Sequence, residues 1–248
     1  MINILLPLAG KGSRFSNAGY DRPKPLIEIN GKPMIEVVIN NLRPTRDHHF
    51  IFICQQRHID EYGLDTVLKN LEPNSTIITI DHYTDGQLSS AMLAKQYIDN
   101  DFPLMTANTD QYIDFSIDHY LSTFDDQSLD GLIMTMKGEN PKWSYVRINE
   151  ATNLVVETAE KKVISNEATV GIYNFKRGSD FVKAAESIIK KDIRVNGEFY
   201  ICPVYNELIA KGFKVGYYNI GEERGGMYGL GIPDDLEYFL SHPLARRV

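Results

Sequence analysis

Residues Leu5–Leu26 read LLPLAGKGSRFSNAGYDRPKPL. An apolar run ends in a loop broken by Gly10 and Gly12, and that loop carries Lys11, Ser13 and Arg14. A second loop sets Lys24 between Pro23 and Pro25. The glycines let backbone N–H groups turn toward anionic oxygens, and the cations supply the opposing charge. The prolines predict an extended segment that presents Lys24 instead of letting it tumble. Strand, tight basic loop and pre-set lysine are what a triphosphate site needs. The stretch is not a P-loop, because GxxxxGK[ST] is absent, and it has too few glycines for the dinucleotide GxGxxG. Spacing alone leaves open an ordinary strand-to-loop turn with solvated charges.

Working outward, INILLPLA is a continuous apolar run of strand length, as expected for a strand covered on both faces. Asn30-Gly31 signals a turn, Pro33 a helix start, and Ile35, Val38 and Ile39 follow at helical spacing. HFIFICQ predicts a second strand with a helix to about Leu71, and STIITID a third strand. LSSAMLAKQYI predicts a helix, PLMTANTD a fourth strand, FSIDHYLSTF a helix and GLIMTMK a strand. Strand and helix alternate with no hairpin expected in the first half. That predicts an α/β fold, with a mostly parallel sheet and helices on both faces. Crossover handedness then lines up the carboxyl ends of the strands, where ligands bind. The loops Ala9 to Lys24, Asp81 to Gln87 and Asn108 to Gln111 all follow strands at that edge.

From about Pro141 the texture changes. WSYVRINEATNLVVETAEKK predicts short antiparallel strands, and ATVGIYNF another strand. DFVKAAESIIKK is an amphipathic helix pattern ending in lysines. GEFYICPVYNELIAKG predicts a helix closed by Gly212, with Pro203 a kink or late start. FKVGYYNI predicts a strand, and Pro233 opens a terminal helix. No repeat or linker is visible, so one domain over 1–248 is expected, in halves 1–140 and 141–248.

The 248 residues, 43% hydrophobic and 24% charged, are ample for one large core. A formal net charge of −7 argues against nucleic acid or an anionic membrane as partner. The cations that gather in the first loop suit a small anionic ligand. Cys54 and Cys202 lie in apolar patterns, a strand and a helix, and read as core residues, neither a disulfide nor a metal pair. The 6 histidines show no metal-binding spacing. No signal peptide, transmembrane run or lipidation motif is visible, so a reduced, cytoplasmic protein is expected.

LPLAGKGSRF followed by PKPLI resembles the signature of the nucleotidyltransferases that make nucleotide-activated sugars and related compounds. Their usual form is a strand, then A-G-G-x-G-x-R, then P-K. The resemblance covers essentially the whole chain and implies a Rossmann-like fold. The first half would bind nucleotide and the second an acceptor, through its small antiparallel element. It implies that Leu8, Ala9, Gly10, Lys11, Gly12 and Ser13 bind nucleotide. Arg14 and Lys24 would be catalytic: both hold the triphosphate, and Lys24 also stabilises the transition state. Lys11 stands where many members have Gly or Ser.

Asp110, at the end of the fourth predicted strand, faces the same cleft as the basic loop. Mg2+ takes oxygen ligands, commonly one or two carboxylates plus phosphates. A helix cap or Asx turn is the alternative from the residues alone. The resemblance implies metal binding. The family's second metal carboxylate lies in W-x-D-x-G-T-P. Here the run is MYGLGIP, residues 227 to 233, with Gly229 at the aspartate position. Glu222, Glu223 and Asp234 are the acids that could step in, although Asp234 and Asp235 also suit the start of a helix.

HYTDGQ resembles the family's base-binding loop, with Gly86 matching the glycine that lets the ring approach. Asp81 falls where thymidylyl and uridylyl members often carry glutamine. A carboxylate only accepts hydrogen bonds and cytosine presents an amino donor, which tilts the nucleotide toward CTP. AEKK resembles V-E-K-P, so Lys161 would bind the acceptor's phosphate with Glu160 beside it. NGEFYICPVYN resembles a helix start whose glutamate, Glu198, contacts the acceptor. Without the resemblance, Glu160 and Lys161 read as a solvated pair and Glu198 as a first-turn acid. Trp143, Ser144 and Tyr173 would line the pocket or pack.

The implied reaction is attack by an acceptor phosphate on the α-phosphorus of a nucleoside triphosphate, with Mg2+ as cofactor and pyrophosphate leaving. The expected acceptor is a phosphorylated small molecule, most simply a sugar 1-phosphate for cell-surface polysaccharide. A phosphocholine- or phosphoglutamine-type acceptor and a non-catalytic nucleotide-binding regulator are the alternatives. The residues give no sign of a C-terminal β-helix or acyltransferase extension. Oligomeric state, a homo-oligomer included, is left open.

Overall fold

The computed structural model describes residues 1–248. Its strands are β1 (Ile2–Pro7), β2 (Glu28–Ile29), β3 (Lys32–Pro33), β4 (His48–Gln55), β5 (Thr76–Ile80), β6 (Leu104–Ala107) and β7 (Gln111–Ile113). They continue with β8 (Gly131–Lys137), β9 (Tyr145–Asn149), β10 (Leu154–Ala159), β11 (Glu167–Phe175), β12 (Val215–Glu223) and β13 (Gly226–Gly229). An 11-stranded sheet runs β5-β4-β1-β6-β11-β8-β12-β13-β7, with β9 joining β10 and β11 beside it. Along that path five neighbouring pairs are parallel and three antiparallel, so the main path is mostly parallel, as the alternating pattern implied, and β9 adds two antiparallel pairings beside it. β1 is central, flanked in parallel by β4 and β6. That position explains its unbroken apolar run, because both faces are covered.

The helices are α1 (Ser13–Asn17), α2 (Met34–Leu42), α3 (Gln56–Tyr62), α4 (Leu64–Leu71), α5 (Gln87–Met92) and α6 (Lys95–Ile98). Then come α7 (Ile117–Asp126), α8 (Gly178–Lys190), α9 (Val204–Ile209) and α10 (Pro233–Ser241). Strand side chains alternate between faces, and the core divides accordingly. Ile4, Leu6, Phe50 and Phe52 pack with residues of α2, α4, α7 and α10. Leu5, Ile51 and Ile53 pack on the other face with α5, α8 and α9. Cys54 is fully buried in the first cluster and Cys202 almost fully in the second, and both are free thiols. Burial pushes each thiol up to about 12, so both stay inert at neutral pH.

Several local expectations are corrected. The first half does hold a hairpin: Ile29 pairs with Lys32 across Asn30 (φ 51°) and Gly31 (φ 83°). Two successive left-handed residues are what a tight two-residue hairpin turn requires. The helix after HFIFICQ is cut at Gly63, whose φ of 65° ends α3 and starts α4. LSSAMLAKQYI likewise forms two short helices, α5 and α6. The C-terminal GEFYICPVYNELIAKG stays non-helical until Val204, so Cys202 precedes α9 instead of lying in it. Pro203 has no N–H to donate and sits where a helix begins. Pro233 opens α10 as expected. The hairpin β9–β10 is the small antiparallel element, beside β11. No helix is long and apolar enough to cross a membrane.

Candidate active site

The signature loop leaves the carboxyl end of β1. Buried Leu8 donates its N–H to the Ile53 carbonyl at 2.8 Å. Gln55, the last residue of β4, donates its side-chain amide to the carbonyls of Ala9 (2.9 Å) and Gly10 (3.1 Å). Anchoring those carbonyls fixes the loop beside the strand end. Gly12 turns the chain at φ 63° into α1, and buried Phe15 packs edge-on against Tyr20 at 5.1 Å. Lys11, Ser13 and Arg14 are left exposed on the outer side. Lys11 lies 5.1 Å from the centre of the Tyr83 ring, and Arg14 makes no ion pair.

Lys24 is presented differently from the extended segment expected. Only Pro23 is extended; Lys24 opens a one-turn 3-10 helix, closed by Leu26 N–H donating to Pro23 at 2.8 Å. The turn brings Lys24 against the loop, where a Cβ on Gly12 would lie 3.6 Å from the Lys24 Cβ. Its ammonium donates to Asp110 Oδ2 at 3.0 Å. A cleft of about 410 Å³ contains Ala9 to Arg14, Lys24, Gly86 and Asp110 among its walls. The structure thus gathers the loop, Arg14, Lys24 and Asp110 around one cavity. Leu8, expected to bind nucleotide, is buried and does not line the cavity.

Asp81 is not brought in. Its carboxylate is exposed and accepts from His82 at 2.7 Å, and this hydrogen bond holds it below the usual carboxylate range. Tyr83, Thr84, Gly86, Gln87 and Ser90 line the cleft instead. Gly86 does line it, but the structural demand for glycine comes from elsewhere. Its φ is 106°, and a Cβ there would meet the Phe199 carbonyl oxygen at 2.5 Å and its nitrogen at 2.8 Å. Phe199 N–H donates to Asp85 (2.8 Å) and Leu88 N–H to Phe199 (3.0 Å), so the two loops are stapled backbone to backbone.

A second cavity, of about 330 Å³, adjoins the first. Pro7, Lys24, Gln87, Asp110 and Glu198 line both. Glu160, Lys161, Trp143, Ser144, Tyr173 and Tyr200 line the second alone, so all three expected acceptor residues converge there. Burial pushes the Glu160 carboxyl upward, partly offset by the Ser144 hydroxyl that donates to it and by the nearby Lys161 charge. Tyr173 is buried against Thr169, its hydroxyl 2.9 Å away. Lys161 has a left-handed backbone (φ 52°), and its ammonium donates to the Tyr200 hydroxyl.

Of the acids expected to hold a metal, Asp110 is the one that lines the cleft. A Cβ on Gly231 would come within 2.5 Å of Asp110 Oδ2, so the glycine is what lets the carboxylate sit against the backbone there. A carboxylate oxygen suits Mg2+, which completes its shell with phosphates and water, although Oδ2 is held here by the Lys24 ammonium. The other acids do not converge. Glu223 pairs with Lys142 at 2.8 Å and Asp235 with Arg224 at 3.3 Å, while Glu222 and Asp234 line neither cavity. At Gly229 a Cβ would meet Asp235 at 3.0 Å, so Asp235 fills that space without entering the cleft. No cluster of three or more potential ligand side chains is present.

Gln55, Gln87, Asn108 and Tyr200 were not singled out from the sequence. Gln87 donates to Asn108 Oδ1 at 2.7 Å. Asn108 is seated against Gly171 (φ 82°), where a Cβ would meet its amide at 2.1 Å. The available signal was position: Gln55 ends a strand, Asn108 follows one, and Gln87 follows the cleft glycine.

The "Nucleotidyl transferase" family model matches residues 3–202. The chain is 26% identical over 227 residues to the bifunctional protein GlmU of Methanocaldococcus jannaschii, covering 88% of this chain and 50% of that protein. It is 27% identical over 227 residues to GlmU of Aquifex aeolicus, covering 84% and 46%. The chain therefore spans about half the length of these curated relatives. Among solved structures it resembles the nucleoside-diphosphate-sugar pyrophosphorylase from Vibrio cholerae RC9, with a TM-score of 0.82, 29% identity and coverage of 98% and 100%. The inositol-1-phosphate CTP transferase from T. maritima shares the fold, with a TM-score of 0.74, 17% identity and coverage of 96% and 94%.

Proposed function

Because the chain belongs to the nucleotidyl transferase family, we propose that it transfers a nucleoside monophosphate from a nucleoside triphosphate to a phosphorylated small molecule. The acceptor is a sugar 1-phosphate and the by-product pyrophosphate. One observation carries the reading: two cavities meet at the Lys24–Asp110 pair, one edged by a basic glycine loop and the other by Lys161. The Vibrio cholerae pyrophosphorylase, named for nucleoside-diphosphate sugars, supports the sugar acceptor.

The acceptor phosphate is already anionic, so positioning and charge neutralisation are the catalytic tasks and no general base is required. Lys161 holds the attacking phosphate. Lys24, between the cavities, faces the α-phosphate and neutralises charge as the new P–O bond forms and the pyrophosphate bond breaks. Arg14 meets the departing pyrophosphate from the open side. Asp110 would hold Mg2+, which supplies positive charge to the phosphate oxygens. Glu160 and Glu198 face the acceptor's hydroxyls.

The base meets Thr84, Gln87 and the loop backbone. Asp81 lies outside the cleft, so the tilt toward CTP lacks a direct contact. CTP is kept in the proposal on the fold shared with the T. maritima CTP transferase and on Asp81's place in the loop. Supply of activated sugars for cell-surface polysaccharide, in the cytoplasm, completes it. Pyrophosphate release assayed across four nucleotides and a panel of sugar 1-phosphates, phosphocholine and phosphorylated amides tests this reading. Release with a sugar 1-phosphate supports it. Nucleotide binding without release from any pair overturns it.

A further inference from the structure

Tyr200 was not assigned a role, yet its hydroxyl is central to the acceptor cavity. It accepts from the Lys161 ammonium and donates to Glu198 Oε2 at 2.7 Å. The same ammonium lies 4.5 Å from the centre of the Tyr200 ring. The two distances place the ammonium beyond the ring edge, on the side of the hydroxyl, so Tyr200 engages Lys161 through its oxygen. An exposed lysine is a flexible four-carbon stem with three rotatable donors. Here the hydrogen bond to Tyr200 restricts it, on a residue whose own backbone is left-handed.

The anchor of Tyr200 is rigid. Its neighbour Phe199 is bonded by backbone to Asp85 and Leu88, across the close approach that Gly86 permits. Arg194 adds to the clamp, with its guanidinium 4.0 Å from the Phe199 ring centre and 3.2 Å from Asp85. Tyr200 thus hangs from the loop that walls the nucleotide cleft. Burial and the Glu198 carboxylate both push its phenol upward, so the hydroxyl keeps the proton it donates to Glu198.

We propose that Tyr200 is a positioning residue that holds Lys161 in place for the acceptor's phosphate. The inference rests on the transfer reading only for the identity of the acceptor, because any phosphate monoester or inorganic phosphate presents the same oxygens to Lys161. Tyr200→Phe keeps the ring and removes the hydroxyl, so its fold is expected to be retained and its melting temperature little changed.

The test is calorimetric titration of inorganic phosphate into the full chain, as wild type, Tyr200→Phe, Lys161→Met and the double variant. The Lys161-dependent binding is the difference between wild type and Lys161→Met. Tyr200→Phe is expected to weaken that part about tenfold, the loss of one hydrogen bond to a charged group. The double variant is expected to match Lys161→Met, because Tyr200 acts through the lysine. Additive losses, no loss in Tyr200→Phe, or no Lys161-dependent binding each overturn the proposal. Where turnover is measured, Tyr200→Phe raises the acceptor KM and leaves kcat and the nucleotide KM near wild type; a fall in kcat alone contradicts it. Absence of turnover with every nucleotide removes the transfer reading, while the phosphate titration still decides Tyr200.

Discussion

Lys24 and Asp110, 86 residues apart in the chain, meet at 3.0 Å where the two cavities join. Their side chains are 21% and 32% exposed, enough for a ligand to reach both. The pair stores opposite charges at one point. In the proposed reaction an incoming nucleotide would offer Lys24 a phosphate in place of the carboxylate and leave Asp110 free for a cation.

Lys24→Ala is expected to lower turnover by about two to three orders of magnitude, as for loss of one preorganised donor. Nucleotide binding should weaken far less, because Arg14 and the loop remain. Steady-state kinetics and nucleotide titration check both. Near-normal turnover would remove Lys24 from the mechanism.

Asp110→Asn keeps the size of the side chain and removes its charge. Half-maximal turnover is expected to need a higher Mg2+ concentration than in the wild type. Gly231→Ala should act in the same direction by crowding Oδ2. A Mg2+ titration of activity reads both, and an unchanged midpoint in both variants would sink the assignment of Asp110.

Gly86→Ala combines a left-handed backbone with a Cβ driven into Phe199. Strain of this kind costs on the order of 1–3 kcal/mol before the clash is counted. Stability is expected to fall by at least that much in denaturant unfolding. The staple to Phe199 joins the two loops, so KM should rise for nucleotide and acceptor together. A rise in only one would separate the loops functionally.

Glu160 sets a pH dependence. Burial raises its folded value, so between the ordinary 4.5 and that raised value the native state binds more protons than the unfolded one. Its contribution to stability is fully present below the ordinary value and is lost as pH rises through the raised one. Glu160→Gln removes this titration and can keep a partner for Ser144. The variant's stability relative to wild type is therefore expected to increase with pH through that window and then level off. Unfolding curves at a series of pH values measure it. A difference constant with pH would show that burial does not control the carboxyl.

Residues such as Ile4, Leu5 and Leu6 made the fold legible, because an apolar run without alternation has to be covered on both faces. The loop was legible for a similar reason: Gly12 and the cations around it have few other uses. Local breaks were harder to read. Gly63 inside an otherwise helical pattern and Pro203 inside another each cut the expected helix, and nothing short of tertiary context says where. Asp81 shows a different limit: its place in the loop was visible, but its neighbour His82 turns the carboxylate outward. The reason for Gly86 lay in Phe199, which is distant in sequence, and Tyr200 was missed for the same reason, since its partners come from other segments. Gly229 was seen as a departure, but that Asp235 fills the vacated space could be learned only from packing.

The central claim is that the basic loop and Lys24 direct attack at the α-phosphorus. It is tested most directly by following label from the α-phosphate of a nucleoside triphosphate in the presence of Mg2+ and a sugar 1-phosphate. The label is expected in a nucleotide–sugar conjugate, formed in equal amount with pyrophosphate and lost in Lys24→Ala. Release of orthophosphate, or label that never leaves the nucleotide pool, would contradict it.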